Sequence, residues 1–264
     1  MRLLLALGFL LVATPLRAEP VTFVGPDGIT LKAELHRPGG VAKAPAVVAL
    51  HGCGGPFAAR DAQWAEALTR AGHIVLFPDS FGSRGLGSQC RERNRVATSS
   101  GLRRRDAIAA AAWLAAQPGT PPGGVALLGW SDGGSTVLAT ARGRDDLPPG
   151  LIRGFIAFYP GCRGAAATRG WQPAAPLTIL MGTADDWTPI APCRALAAQA
   201  ANVTLIAYDG AYHDFDAPTP VRILKNIPTS QNADGSVHAG GDRAAREAAL
   251  MRVPAILAGM PVAR

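Results

Sequence analysis

The sequence has no CxxC and no HExxH, the spacings at which cysteines and histidines clamp zinc, so no metal centre is expected. It has no internal repeat, no heptad pattern and no low-complexity tract beyond scattered Ala, Gly and Pro, which excludes solenoids and coiled coils. After the N-terminal segment no apolar run approaches the roughly 20 residues a helix needs to cross a bilayer. No nucleic-acid motif accompanies the net charge of +7, so nucleic acid is not an expected partner.

What is present suits one globular domain: 264 residues, of which 48% are hydrophobic. The chain opens MRLLLALGFLLVATPLRAEP, with Arg2 ahead of the apolar run 3–13 and Ala18 at a plausible cleavage point. This is the pattern of a secretory signal peptide. Residues 1–18 are therefore expected to be removed, leaving a single domain, 19–264, in the periplasm or outside the cell. An oxidising compartment makes disulfides of the four cysteines. The count leaves alternative pairings open, but Cys53 with Cys90 and Cys162 with Cys193 each join neighbouring predicted strand ends, and this pairing is favoured.

Strand-like segments lie at 21–23, 31–36, 46–50, 74–77, 125–128, 155–159, 177–180 and 203–208. Helical patterns fall near 58–71, 102–116, 134–141, 191–201 and 242–257. Alternation of the two predicts an α/β fold with a mostly parallel eight-stranded sheet and helices on both faces, its first strand pair a candidate for antiparallel pairing. Residues 218–241 have weak periodicity and many turn formers, and read as a surface excursion able to border a substrate entrance.

GWSDGG places Ser131 between Gly129 and Gly133, directly after the apolar run 125–128. A sharp strand-to-helix turn of this kind lifts its central side chain above a sheet. Serine needs a base to become a nucleophile, and the base must be an imidazole oriented by a carboxylate. Downstream, GTADDWTP supplies Asp185, with Asp186 as the alternative, and a loop after the last strand segment supplies His213, with His238 as the weaker competitor. The order Ser131, Asp185, His213 is that of α/β-hydrolases. HGCGG at 51–55 follows another strand segment, where backbone N–H groups can hold an oxyanion. The N–H groups of Cys53 and Asp132 are the candidates.

Through HGCGG, PDSFGSRG, GWSDGG, GTADDWTP and the late His213, the chain resembles the dienelactone hydrolase family of the α/β-hydrolases, especially exported members. The resemblance implies the α/β-hydrolase fold and cofactor-free hydrolysis of a small-molecule ester or lactone. The family's namesake enzymes use a cysteine nucleophile, so Ser131 makes the chain look more like the family's serine esterases. The resemblance also implies that Arg84, in the loop after Pro78 and Asp79, binds a substrate carboxylate; Trp130, beside Ser131, is a further candidate substrate contact. A peptidase or acyltransferase on the same triad, and a non-catalytic binding protein on the same scaffold, are the competing readings. Seven arginines, Arg84, Arg91, Arg93, Arg95, Arg103, Arg104 and Arg105, are opposed locally only by Glu92 and Asp106. Such a run can attract anions, though a solvated face is its commoner meaning.

Overall fold

The computed structural model describes residues 18–143 and 146–262. All of the predicted leader except Ala18 lies outside the described residues. The chain begins with an antiparallel pair, β1 (Glu19–Val24) and β2 (Thr30–His36). Burial in β2 alternates residue by residue, as the period of two requires when one face packs on a core. The remaining strands of the main sheet are β3 (Val47–Leu50), β4 (Val75–Asp79), β5 (Val125–Trp130), β6 (Ile152–Phe158), β7 (Leu177–Gly182) and β8 (Val203–Tyr208). Their order is β1-β2-β4-β3-β5-β6-β7-β8. β2 joins β4 antiparallel, and every later pairing is parallel. Strands β3, β5 and β6 are buried at every residue, which is why they read as continuous apolar runs: helices cover both of their faces.

Those helices are α1 (Ala58–Arg70), α2 (Leu102–Ala115), α3 (Asp132–Ala141), the single turn α4 (Arg163–Ala166), α5 (Ile190–Gln199) and α6 (Arg243–Ala258). Each long helix buries one stripe at helical spacing, such as Trp64 and Leu68 in α1, Ala107, Ala110, Ala111 and Leu114 in α2, and Ala249, Val253 and Leu257 in α6. α1 packs beside α6 and α2 beside α3. Asp242 caps α6 by accepting the Ala245 N–H at 2.8 Å. Among the described residues no helix is long and apolar enough to cross a membrane.

The excursion at 218–241 contains a second, two-stranded sheet, β9 (Arg222–Leu224) antiparallel to β10 (Val237–Ala239). Three-residue strands are too short to leave a periodic signal. The structure pairs Cys53 with Cys90 and Cys162 with Cys193, across sequence separations of 37 and 31. Opening a native disulfide typically costs about 2–5 kcal/mol. Reductant should therefore lower the urea midpoint of this protein; an unchanged midpoint with both thiol pairs shown free would contradict that expectation.

Candidate active site

The six mutually parallel strands β3 to β8 end on one rim of the sheet, and the loops that leave β3, β5, β7 and β8 bring HGCGG, Ser131, Asp185 and His213 there, as open α/β sheets generally do. β5 ends in the GWSDGG turn. Ser131 has φ 54° and ψ −113°, a backbone conformation that a non-glycine residue holds only when its surroundings enforce it. Here the Ser131 N–H donates to Phe158 O at 3.0 Å. The two flanking glycines are steric necessities. A Cβ on Gly129 would lie 2.4 Å from Gly133 O, and one on Gly133 would lie 2.1 Å from Leu50 O.

The Ser131 Oγ is 2.9 Å from His213 Nε2, and His213 Nδ1 is 2.8 Å from Asp185 Oδ2. Asp185 is fixed in turn, because its Oδ1 accepts the N–H groups of Trp187 (2.9 Å) and Thr188 (2.8 Å). The His213 ring lies between Tyr159 and Trp187, with centroids 4.5 and 4.7 Å away. Burial disfavours the imidazolium, yet Asp185, aided by Asp214 and Asp216, outweighs that penalty and raises the His213 pKa above its ordinary value of 6.5. The alternative acid and histidine pair with each other: His238 Nδ1 is 2.8 Å from Asp186 Oδ2, and the His238 N–H donates to Asp186 Oδ1 at 2.9 Å. This second pair ties the β9–β10 segment to the loop after β7.

The HGCGG loop lies directly over the GWSDGG turn; a Cβ on Gly52 would come 3.5 Å from that of Ser131. Asp132 opens α3, so its N–H has no acceptor one helical turn back. Cys53 and Ser131 line two adjoining lobes of the surface. One, of about 260 Å³, is bounded by Ser135, Arg163, Thr188 and Gln231; the other, of about 240 Å³, by Phe57, Arg60, His213 and Leu224. Trp187 borders both.

The structure places the two predicted substrate contacts, Arg84 and Trp130, on other partners. Arg84 is committed to Asp106, with both guanidinium nitrogens 2.8 Å from the carboxylate oxygens, and it lines neither lobe. Trp130 is fully buried, and its Nε1–H donates to Asp216 Oδ2 at 2.8 Å. Being the last residue of β5, it points below the rim that Ser131 tops. The arginine run is also not a solvated face throughout. Arg103 and Arg104 are buried; Arg103 donates to the Asp132 carboxylate and, at 2.5 Å, to His51 O, bridging the GWSDGG turn and the HGCGG loop. Arg95 and Ser99 also donate to Asp132 Oδ1, at 3.1 and 2.7 Å.

Sequence reasoning missed Arg103, Trp187, Thr188 and Tyr159 as site neighbours. The signal for Trp187 and Thr188 was their place in GTADDWTP; for Tyr159 there was none. Among the described residues no group of three or more His, Cys, Asp or Glu is placed to hold a metal ion.

The model of the dienelactone hydrolase family matches the chain over residues 31–257. The chain belongs to the dienelactone hydrolase family. Family membership places it among the carboxylic ester hydrolases. No curated protein matches it significantly. Among solved structures it is similar to the Pyrobaculum calidifontis esterase, with a TM-score of 0.67 at 17% identity, covering 94% of this chain and 87% of that one. The dienelactone hydrolase from Anabaena variabilis gives 0.60 at 23% identity over 76% and 89% of the two chains. The esterase domain of a Rhodothermus marinus protein gives 0.55 at 20% identity over 75% and 90%. At these identities the likeness shows a shared α/β-hydrolase fold.

Proposed function

We propose that the protein cleaves a carboxylic ester or lactone through an acyl-enzyme on Ser131. The observation that carries this reading is the unbroken chain of hydrogen bonds from Ser131 through His213 to Asp185. Neutral His213 accepts the Ser131 proton at Nε2 as Oγ attacks the substrate carbonyl, while Asp185 steadies the resulting imidazolium at Nδ1. The developing oxyanion lies between the N–H groups of Cys53 and Asp132, whose loops are held before the substrate arrives by the Cys53–Cys90 bridge and by Arg103. His213 then protonates the leaving alkoxide, and water, deprotonated by the same nitrogen, releases the acid. The two lobes beside Ser131 suit a substrate whose acyl and alcohol parts extend in different directions. The leader pattern read in residues 1–18 and the two disulfides together favour a periplasmic or secreted enzyme.

Because His213 works as the neutral base, activity is lost as pH falls through its raised pKa. The acid limb of kcat/KM should accordingly have its midpoint above 6.5, and a limb centred below that value would contradict the assigned electrostatics. The reaction itself is tested with purified protein on a panel of acyl esters, lactones and peptide amides. Turnover of esters or lactones, absent in Ser131→Ala, supports the proposal; an active amide series with inert esters would replace it by a peptidase, and no turnover at all would contradict it.

A further inference from the structure

One buried carboxylate, that of Asp216, is hydrogen-bonded to Trp130, which precedes Ser131, and to Tyr159, which packs on His213. Asp216 is fully buried, and its Oδ2 accepts the indole N–H groups of Trp64 (2.6 Å) and Trp130 (2.8 Å) while its Oδ1 accepts the Tyr159 hydroxyl at 2.6 Å. Its backbone carbonyl accepts Gln63 Nε2 at 2.9 Å, so α1 holds both ends of the residue. Trp130 immediately precedes Ser131. Tyr159 packs its ring on His213 and has φ 36°, a strained conformation that needs enforcement. Three donors that would otherwise be buried without an acceptor thus converge on one side chain.

We infer that Asp216 is a positioning residue of the hydrolytic centre: it locks the end of β5 under Ser131 and the Tyr159 ring under His213, fixing the distance between nucleophile and base. This rests on the reading of Ser131 and His213 given above. A full carboxylate is required, because two acceptor oxygens serve three N–H and O–H donors; an amide in the same place presents one acceptor and turns N–H groups toward donors. Asp216 also belongs to the charge environment of His213. The groups around that imidazole are Asp185 from the loop after β7, Asp214 and Asp216 from its own loop, the neutral Tyr159 hydroxyl from the end of β6, and Arg60 from α1, which stands 3.7 Å from Asp214.

The test compares wild type, Asp216→Asn and Tyr159→Phe as full mature chains, using p-nitrophenyl butyrate turnover and an NMR titration of the His213 imidazole. For Asp216→Asn the expected result is a kcat lower by roughly 10- to 100-fold, the scale of a small misplacement of reacting groups, with KM within about twofold. Removing a negative charge near the imidazolium must also lower the His213 titration midpoint and carry the acid limb of kcat/KM to lower pH. A folded Asp216→Asn with wild-type kcat and an unmoved His213 midpoint would overturn the inference. If Asp216→Asn does not fold, Tyr159→Phe decides: a reduced kcat at unchanged KM supports the positioning role, and wild-type kcat overturns it. Failure of the wild type to turn over any ester would instead defeat the reading of the site, while the NMR midpoints of the three proteins would still settle whether Asp216 acts on His213.

Discussion

Ser131→Ala is expected to fold as the wild type does and to lose at least ~10⁴-fold in kcat on any ester the wild type hydrolyses, the scale seen when a nucleophile is removed from an assembled triad. That factor is about 5.5 kcal/mol of transition-state stabilisation. The same change removes one side-chain hydrogen bond in the free protein, that to His213 Nε2 at 2.9 Å, whose net worth is about 1 kcal/mol. Alanine keeps the Cβ, so the backbone at φ 54° is no more strained than before. Activity and stability should therefore separate cleanly. A variant that keeps more than a hundredth of the wild-type rate would mean that another group attacks the substrate.

The second large effect concerns the turn and not the chemistry. In Gly133→Ala the new methyl would lie 2.1 Å from Leu50 O and 2.6 Å from His51 O. Both are backbone atoms at the end of β3, and no rotamer change relieves the overlap. Either α3 moves away from the sheet or the HGCGG loop is displaced, so Ser131 and the proposed oxyanion donors separate. Overpacking on this scale should cost about 3 kcal/mol or more, which for a chain of this size lowers Tm by roughly 6–12 °C. The measurement is a thermal melt alongside ester turnover. A Tm within about 2 °C of wild type, equivalent to about 1 kcal/mol or less, would show that the turn is looser than its geometry states.

Both predictions rest on elements that were plain in the sequence. The apolar runs 125–128 and 155–159 announced buried parallel strands, and the serine turn, the acid loop and the late histidine each follow one such run, where a parallel sheet brings them together. The sequence favoured Asp185 but left Asp186 as an alternative, because adjacent residues of one turn differ only in direction: Asp185 faces His213 and Asp186 faces His238. Arg84 and Trp130 were read from their neighbourhood in the chain, and their partners come from elsewhere. Asp106 is 22 residues from Arg84 and Asp216 is 86 from Trp130. The same holds for Arg103, whose acceptors are 29 and 52 residues away. An arginine that carries a buried bridge and one that coats a surface look alike until the partner's position is known. Asp216 did leave a trace, as an acid in the segment HDFD next to a buried Phe215, but only the packing of α1 under it explains why that charge is tolerated.

Covalent labelling tests the central claim most directly. Folded wild-type protein incubated with a fluorophosphonate should gain one adduct by intact mass, mapped by peptide sequencing to Ser131, and labelling should fall sharply in His213→Ala, since the attack needs the imidazole to take the serine proton. Folded protein that stays unlabelled, or that is labelled at another residue, would contradict the account.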